Sequence, residues 1–152
     1  MFQHILLPLD GSSLAEAAMK PALELANKFN SEITLLRVAI QPYLPTDGLS
    51  ASYAELLAGL REQALADAKA YLHAQQGSLR QQGYMVHAQV TELEPVAEAI
   101  LNVAEAIGAD TIVMSTHGRG GFTRWVYGSV ADKVLRHAKV PVLLIRPENQ
   151  HD

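Results

Sequence analysis

Five short apolar runs divide the chain at regular intervals. They are rich in valine, isoleucine and leucine, and most of them are continuous rather than alternating. Continuous runs of this length are typical of strands that are covered on both faces of a sheet. The predicted strands are residues 5–9, 33–38, 84–90, 111–115 and 141–145.

Apolar residues recur at helical spacing between these runs. The predicted helices are residues 13–28, 53–72, 95–107 and 129–138. Ser13, Ser52 and Ser129 each precede a carboxylate by three positions, which predicts capping boxes at three helix starts. Gly83 and Gly108 stand where helices give way to strands. The alternation predicts a single α/β domain, with a mostly parallel sheet, right-handed crossovers and helices on both faces.

The composition fits one globular domain. The chain has 152 residues, 49% of them hydrophobic and 18% charged, which excludes disorder as its main character. We assign residues 1–147 to the domain and residues 148–152 to a short polar tail. No apolar run is long enough for a membrane span, and Pro8 and Asp10 interrupt the first run, which argues against a signal peptide. The chain has no cysteine, so disulfides and zinc–thiolate sites are excluded, and we expect a cytoplasmic protein.

Charge is distributed unevenly along the chain. The net charge of −4 argues against a general nucleic-acid surface. Residues 119–146 hold six basic residues and one acid, so this segment carries +5 and the remainder −9. This pattern indicates either a local anion site or a solvated helix face.

A glycine-rich turn follows the fourth predicted strand. Three glycines lie within residues 118–121, and Gly128 and Ser129 open the next helix. Glycines let backbone N–H groups converge, and a helix N-terminus adds free donors and partial positive charge. Arg119 adds a mobile cation. These features predict a phosphate cradle, and the alternative is a surface turn followed by a capped helix.

Two common phosphate motifs do not fit this turn. The Walker pattern needs Gly-Lys followed by Ser or Thr, and the chain has no Gly-Lys. The dinucleotide fingerprint fits Gly118 and Gly120, but Thr123 replaces its third glycine. The turn also follows the fourth strand, whereas that fingerprint follows the first.

Three segments carry a resemblance to a known family. They are residues 5–12 (ILLPLDGS), residues 114–130 (MSTHGRGGFTRWVYGSV) and residues 135–145 (LRHAKVPVLLI). With these segments in register, the chain resembles the universal stress protein family over nearly its whole length. The ATP-binding branch of that family has glycine, two residues, glycine, nine residues, then Gly-Ser or Gly-Thr. Gly118, Gly128 and Ser129 match this pattern, and Ser115 departs from its first glycine.

The resemblance implies a Rossmann-like three-layer fold with strand order 3-2-1-4-5. It also implies a homodimer and an adenine nucleotide between the first and fourth strands: ATP, or ADP or AMP, with Mg²⁺. The implied residues near the adenine are Pro8, Leu9, Asp10 and Val38. Those along the ribose and phosphates are Met114, Ser115, Gly118, Arg119, Gly128, Ser129 and Val130.

Several of these residues have alternative interpretations. Asp10 fits ribose hydroxyls or a metal carried by the phosphates, or else a turn in which it bonds its own backbone. If position 115 requires a positive φ, Ser115 weakens binding. His117 has no second ligand at metal spacing, and Trp125 and Tyr127 are interpreted as packing residues.

Taken together, the sequence predicts a regulator that binds ATP and has an unknown protein partner. It predicts no catalytic residues, and any hydrolysis of ATP is expected to be slow. The alternative is a member of the family that binds no nucleotide and acts only through protein contacts. A phosphorelay receiver would need a second acid beside Asp10, an aspartate in place of Thr91-Glu92, and a lysine at Arg146. A serine hydrolase of the Gly-x-Ser-x-Gly type is excluded because the chain lacks that stretch.

The last predicted strand is apolar at nearly every position. In the order 3-2-1-4-5 it lies at the sheet edge, where unpaired backbone groups invite pairing. We therefore predict a homodimer through residues 141–146, which a lysine at Val142 or Leu144 is expected to weaken.

Overall fold

A five-stranded parallel sheet forms the centre of the protein. The computed structural model describes residues 1–40, 50–92, 95–116 and 128–147. The strand order is β3-β2-β1-β4-β5, and neighbouring strands run parallel. This confirms the predicted fold class and strand order. The strands are β1 (His4–Pro8), β2 (Glu32–Val38), β3 (Met85–Thr91), β4 (Thr111–Ser115) and β5 (Val142–Ile145).

Helices cover both faces of this sheet. Ile5 and Leu7 pack on one face, against α2 and α3, whereas Leu6 packs on the other, against α4 and α5. All three side chains are fully buried, which is why the run that predicts β1 is continuously apolar. None of the described helices is both long and apolar enough to span a membrane. The helices are α1 (Ser13–Glu16), α2 (Met19–Phe29), α3 (Ala51–Gln81), α4 (Val96–Ala106) and α5 (Ser129–His137).

The single helix predicted over residues 13–28 is wrong, because the chain breaks between α1 and α2. A continuous helix would place Pro21 in its interior, where its ring clashes with the carbonyl of Ala17. In the structure α1 ends at Glu16 and α2 restarts at Met19, so that Pro21 falls in the first turn of α2. Proline is tolerated there because the N–H that it lacks has no helical partner.

The helix ends differ in part from prediction. Ser12, rather than Ser13, caps α1, accepting a hydrogen bond from the Ala15 N–H at 3.1 Å. The N-cap residues of α3 and α5 are Ser50 and Gly128, not Ser52 and Ser129, and neither makes a side-chain cap, so all three predicted capping boxes are wrong. The glycine predictions are confirmed: Gly83 and Gly108 follow α3 and α4 with φ of +93° and +65°.

Asp110 ties the start of the chain to β4. Its carboxylate accepts hydrogen bonds from the N–H groups of Gln3 and His4, at 2.9 and 3.4 Å, and from the Thr111 hydroxyl, at 3.1 Å. The amino group of Met1 lies 3.6 Å away. Burial alone would raise the pKa of Asp110, but these hydrogen bonds and the amino group together hold it below its usual value.

Replacing Asp110 by asparagine is expected to destabilise the protein by about 1–2 kcal/mol at neutral pH. At pH values above the unfolded-state pKa of Asp110, its carboxylate stabilises the fold. This contribution is lost as the pH falls through the folded-state pKa, which is the lower of the two. Urea unfolding between pH 7 and pH 2 checks this, because the gap between wild type and variant should close towards acid. Asp67→Asn is the control, since Asp67 meets Gln63 on an exposed helix face. A gap that stays constant with pH would contradict the prediction.

Candidate functional site

The carboxyl ends of β1 and β2 bring the predicted adenine residues to the same level. Pro8 pairs with Leu36 across the two strands, so Asp10 and Val38 each lie two residues beyond this pair. The Leu9 N–H donates to the Leu36 carbonyl at 2.8 Å, and the Leu9 side chain is buried. Leu9 can therefore face a ligand only through its backbone.

β1 and β4 send the chain to opposite faces of the sheet. The two strands are neighbours, with Ile5 opposite Thr111. After β1 the chain enters the helices that pack with Ala15 and Ala22 on one face, whereas after β4 it enters α5, which packs with Val134 on the other. Such a switch point opens a crevice at the carboxyl ends of the strands, where open α/β sheets bind ligands.

A tight turn follows β1. Gly11 has a φ of +82°, which favours glycine. The Asp10 carboxylate atom Oδ1 accepts hydrogen bonds from the backbone N–H and the hydroxyl of Ser12, at 2.8 and 2.5 Å. Asp10 thus stabilises its own turn, as the second of its two interpretations predicts. Its role toward a ribose or a metal stays a prediction.

A polar cluster that the sequence analysis missed lies against this turn. Arg37, near the end of β2, packs so closely that a methyl group on Gly11 would lie 2.5 Å from its Nη1 atom. The Arg37 Cζ atom lies 5.5 Å from the centre of the Tyr71 ring. The Tyr71 hydroxyl donates to Glu16 Oε1 at 2.7 Å. Burial, then the bond to Glu16, raises the pKa of Tyr71 well above its usual value. The sequence does carry one signal for this cluster: Arg37 is the single charged residue in the apolar run of residues 33–38.

Met114 and Ser115 end β4 and are both buried. Ser115 lies in regular strand structure opposite Ile145. Among the described residues other than glycine, only Phe2 and Asn30 have a positive φ. The backbone strain considered for Ser115 is therefore not present.

Thr116 connects the end of β4 to the start of α5. Its N–H donates to the Ile145 carbonyl and its carbonyl accepts from the Gly128 N–H, both at 2.9 Å. α5 then begins at Ser129, with Val130 in its first turn, and no side chain in the described ranges caps it. The uncapped helix start is thereby fixed beside the end of β4. The predicted residues Gly118 and Arg119 lie outside the described residues, as do His117, Trp125 and Tyr127.

Three cations of the basic segment form ion pairs on the surface. They lie on α5 and directly after it, and two of their partners are carboxylates of α4. The helix-face interpretation therefore applies to these three cations. The pairs are Lys133–Glu98, Arg136–Asp132 and Lys139–Glu105, at 2.9, 2.9 and 3.2 Å.

The acids that follow β3 give no catalytic pair in the described structure. Glu92 receives two hydrogen bonds from Arg61 of α3, at 2.7 and 2.9 Å, and Glu94 lies outside the described residues. Among the residues that the structure covers, no three histidine, aspartate or glutamate side chains are placed to hold a metal ion.

Comparisons with known proteins agree with this geometry. The universal stress protein family profile matches residues 1–146. Universal stress protein MJ0531 of Methanocaldococcus jannaschii is 32% identical over 149 residues, covering 96% of this chain and 83% of that protein. The solved structure of MJ0577, from the same organism, is 26% identical with a TM-score of 0.84, covering 99% of each chain. An Arabidopsis thaliana family protein solved with AMP bound is 15% identical with a TM-score of 0.67, covering 97% of this chain and 93% of that one.

Proposed function

This chain belongs to the universal stress protein family, and on that premise we propose that it binds ATP at the carboxyl ends of β1 and β4. The adenine would meet the backbone of Pro8, Leu9 and Asp10 and the end of β2 at Val38. The ribose and phosphates would run from Met114 and Ser115 along residues 118–130.

One observation carries this proposal. The hydrogen bond from the Gly128 N–H to the Thr116 carbonyl sets the start of α5, which no side chain of the described residues caps, beside the switch point. Helix N-termini carry free N–H donors and partial positive charge, both of which favour phosphate oxygens. An anion beside the start of α5 would therefore accept hydrogen bonds from backbone N–H groups that no side chain of the described residues caps.

The choice of ligand rests on two further arguments. The same fold carries AMP in the Arabidopsis protein, so an adenine nucleotide is compatible with it. The spacing of Gly118, Gly128 and Ser129 is that of the ATP-binding branch, which favours ATP over AMP. Mg²⁺ would enter with the phosphates, with Asp10 as the predicted protein ligand.

We infer that the protein is a regulator in the cytoplasm rather than a dedicated enzyme. Glu92, the acid after β3 that the structure describes, is engaged in an ion pair with Arg61. Occupancy of the site by nucleotide would alter binding to a regulatory protein partner. The alternative without nucleotide rests on the departure of Ser115 from the glycine pattern, and the regular strand geometry of Ser115 speaks against backbone strain as a cause of weaker binding.

The test begins with freshly purified protein. Acid denaturation should release an adenine nucleotide, which anion-exchange chromatography would identify. Isothermal titration of the stripped protein should then show binding of ATP, and a titration with GTP is the control. Turnover should stay far below the ~10 per second of a typical enzyme. Absence of both bound nucleotide and titration heat would contradict the proposed ligand, and turnover at enzymatic rates would contradict the regulator.

We also propose that the protein forms a homodimer through β5. This strand lies at the edge of the sheet, and the described chain places no strand beyond it. Leu143 on this edge is 38% exposed. Pairing of two β5 strands would satisfy both rows of backbone groups and cover the exposed leucines.

A further inference from the structure

We propose that Arg37 is a positioning residue for the nucleotide site, holding the turn between Asp10 and Ser12 in place while Tyr71 holds Arg37. The inference rests on the proposed function, because the ligand of this turn is taken to be the adenine nucleotide. The proposed role needs no contact between Arg37 and the ligand. The Arg37 side chain packs against the turn and acts on the ligand only through the backbone of the turn.

The first step is the contact between Arg37 and Gly11. A Cβ atom at position 11 would lie 2.5 Å from Nη1, 3.4 Å from Cζ and 3.5 Å from Nη2 of Arg37. The guanidinium group therefore packs directly against the Gly11 backbone. Its Nη1 atom is fully buried in this position. The positive φ of Gly11 and the missing side chain together allow this close approach.

The second step is what fixes the guanidinium. Tyr71 projects from α3, and its ring centre lies 5.5 Å from Arg37 Cζ, within the range of a cation–π contact. Arg37 thus lies between the turn and the ring of Tyr71, a partly buried residue of α3. A planar guanidinium suits such a position better than a lysine ammonium, because it can stack on an aromatic face.

The third step joins Tyr71 to α1, the helix that follows the turn. Its hydroxyl donates to Glu16 of α1 at 2.7 Å, and the Gln75 amide donates to the same oxygen at 3.4 Å. Because burial and Glu16 raise the pKa of Tyr71, this hydroxyl remains a donor throughout the neutral range. Arg37 therefore holds the turn at Gly11, while Tyr71 holds the helix that follows the turn.

The experiment compares Arg37→Met, which keeps an unbranched apolar stem but removes the guanidinium fork, with Arg37→Lys, which keeps the charge but not the fork. Titration calorimetry with adenosine and with ATP gives the affinities. We expect Arg37→Met to weaken both ligands about tenfold and Arg37→Lys to recover part of the loss. Equal losses are expected because the turn is assigned to the adenosine part of the ligand. Arg80→Met is the matched control, since Arg80 donates to the Val86 carbonyl near the opposite end of the sheet.

A second readout needs no ligand. Amide hydrogen exchange in nucleotide-free protein reports two N–H groups: that of Ser12, which donates to Asp10 within the turn, and that of Ala15 in α1, which donates to the Ser12 hydroxyl. Arg37→Met should lower their protection, and Tyr71→Phe should do so less, because it keeps the ring and loses only the bond to Glu16. Unchanged protection in Arg37→Met would show that the turn holds itself, which overturns the inference.

The remaining outcomes separate this inference from the proposed function. If wild type binds ATP and Arg37→Met binds it equally well, the inference fails and the proposed function stands. If the loss is confined to ATP and adenosine is unaffected, Arg37 acts only as a charge, and positioning is wrong. If wild type binds neither ligand, the proposed function fails and this role of Arg37 fails with it.

Discussion

Replacing Gly128 by valine is expected to abolish nucleotide binding while leaving the fold intact. Gly128 has φ −55° and ψ 149°, a backbone conformation that any L-residue adopts, so valine adds no strain there. Valine also keeps the N–H that donates to the Thr116 carbonyl. Its branched side chain, however, would occupy the space at the start of α5 where we place the phosphates. The ATP affinity should fall by about a hundredfold or more, equivalent to ~2.7 kcal/mol.

The measurement is titration calorimetry with ATP, accompanied by urea unfolding of each variant. Gly59→Val is the matched control: Gly59 lies within α3 with no atom near its missing side chain, and valine is a better helix former than glycine. The control should bind ATP as wild type does. A folded Gly128→Val protein with unchanged ATP affinity would show that the phosphates lie elsewhere.

The strands were predictable because burial on both faces leaves a clear signal. Ile5, Leu6 and Leu7 alternate between two cores, so each must be apolar. The break at Pro21 could also have been read from the sequence, because its missing N–H and its ring restrict it to the first turn of a helix. The predicted sheet order came from the resemblance to a family, since apolar runs alone do not fix which strands are neighbours.

The long helix α3 shows where the apolar pattern misleads. Leu56, Leu60 and Leu72 fall at helical spacing within the predicted helix 53–72. Leu56 and Leu60 are nevertheless 56% and 46% exposed, while Leu72 is fully buried. A helix of 31 residues is about 46 Å long, whereas a strand of seven residues is about 23 Å long. Periodicity indicates which side of a helix is apolar, but only the lengths of the packed elements decide how much of it is covered.

The sequence analysis proposed site residues only from short segments that follow or end predicted strands or begin a predicted helix. Asp10 follows β1, Ser115 ends β4 and Gly128 precedes α5, and the parallel topology brings the ends of β1 and β4 to one edge. Arg37 and Tyr71 were missed because they meet only in the folded chain, 34 residues apart in sequence. No periodicity or motif spacing reports such a contact.

Replacing Leu143 by lysine is expected to convert the proposed homodimer into monomers. Val142 and Leu144, the positions suggested by the sequence, pack on the core beneath α4 and α5, so lysine there would damage the monomer as well. Leu143 points away from that core and is 38% exposed. In an antiparallel β5–β5 pair the two lysines would lie near the two-fold axis. Like charges facing each other cost several kcal/mol, so the dissociation constant should rise about a hundredfold or more.

Analytical ultracentrifugation over a range of micromolar concentrations provides the measurement, since a dimer and a monomer of a 16.5 kDa chain sediment differently. Leu60→Lys is the control: it introduces the same charge at a 46% exposed leucine on α3, a helix that packs at the β2–β3 side of the sheet. That variant should remain dimeric if β5 forms the interface. Two results would exclude the proposed contact, namely a wild-type protein that is monomeric throughout this range, or a Leu143→Lys variant that is as dimeric as wild type.

Because β5 and β4 are neighbours, with Leu143 opposite Val113, loss of pairing between two copies at this edge need not disturb the hydrogen bonds between β4 and β5 that lead to Ser115. ATP affinity should therefore survive in the monomeric variant, which separates the assembly of the protein from its nucleotide site.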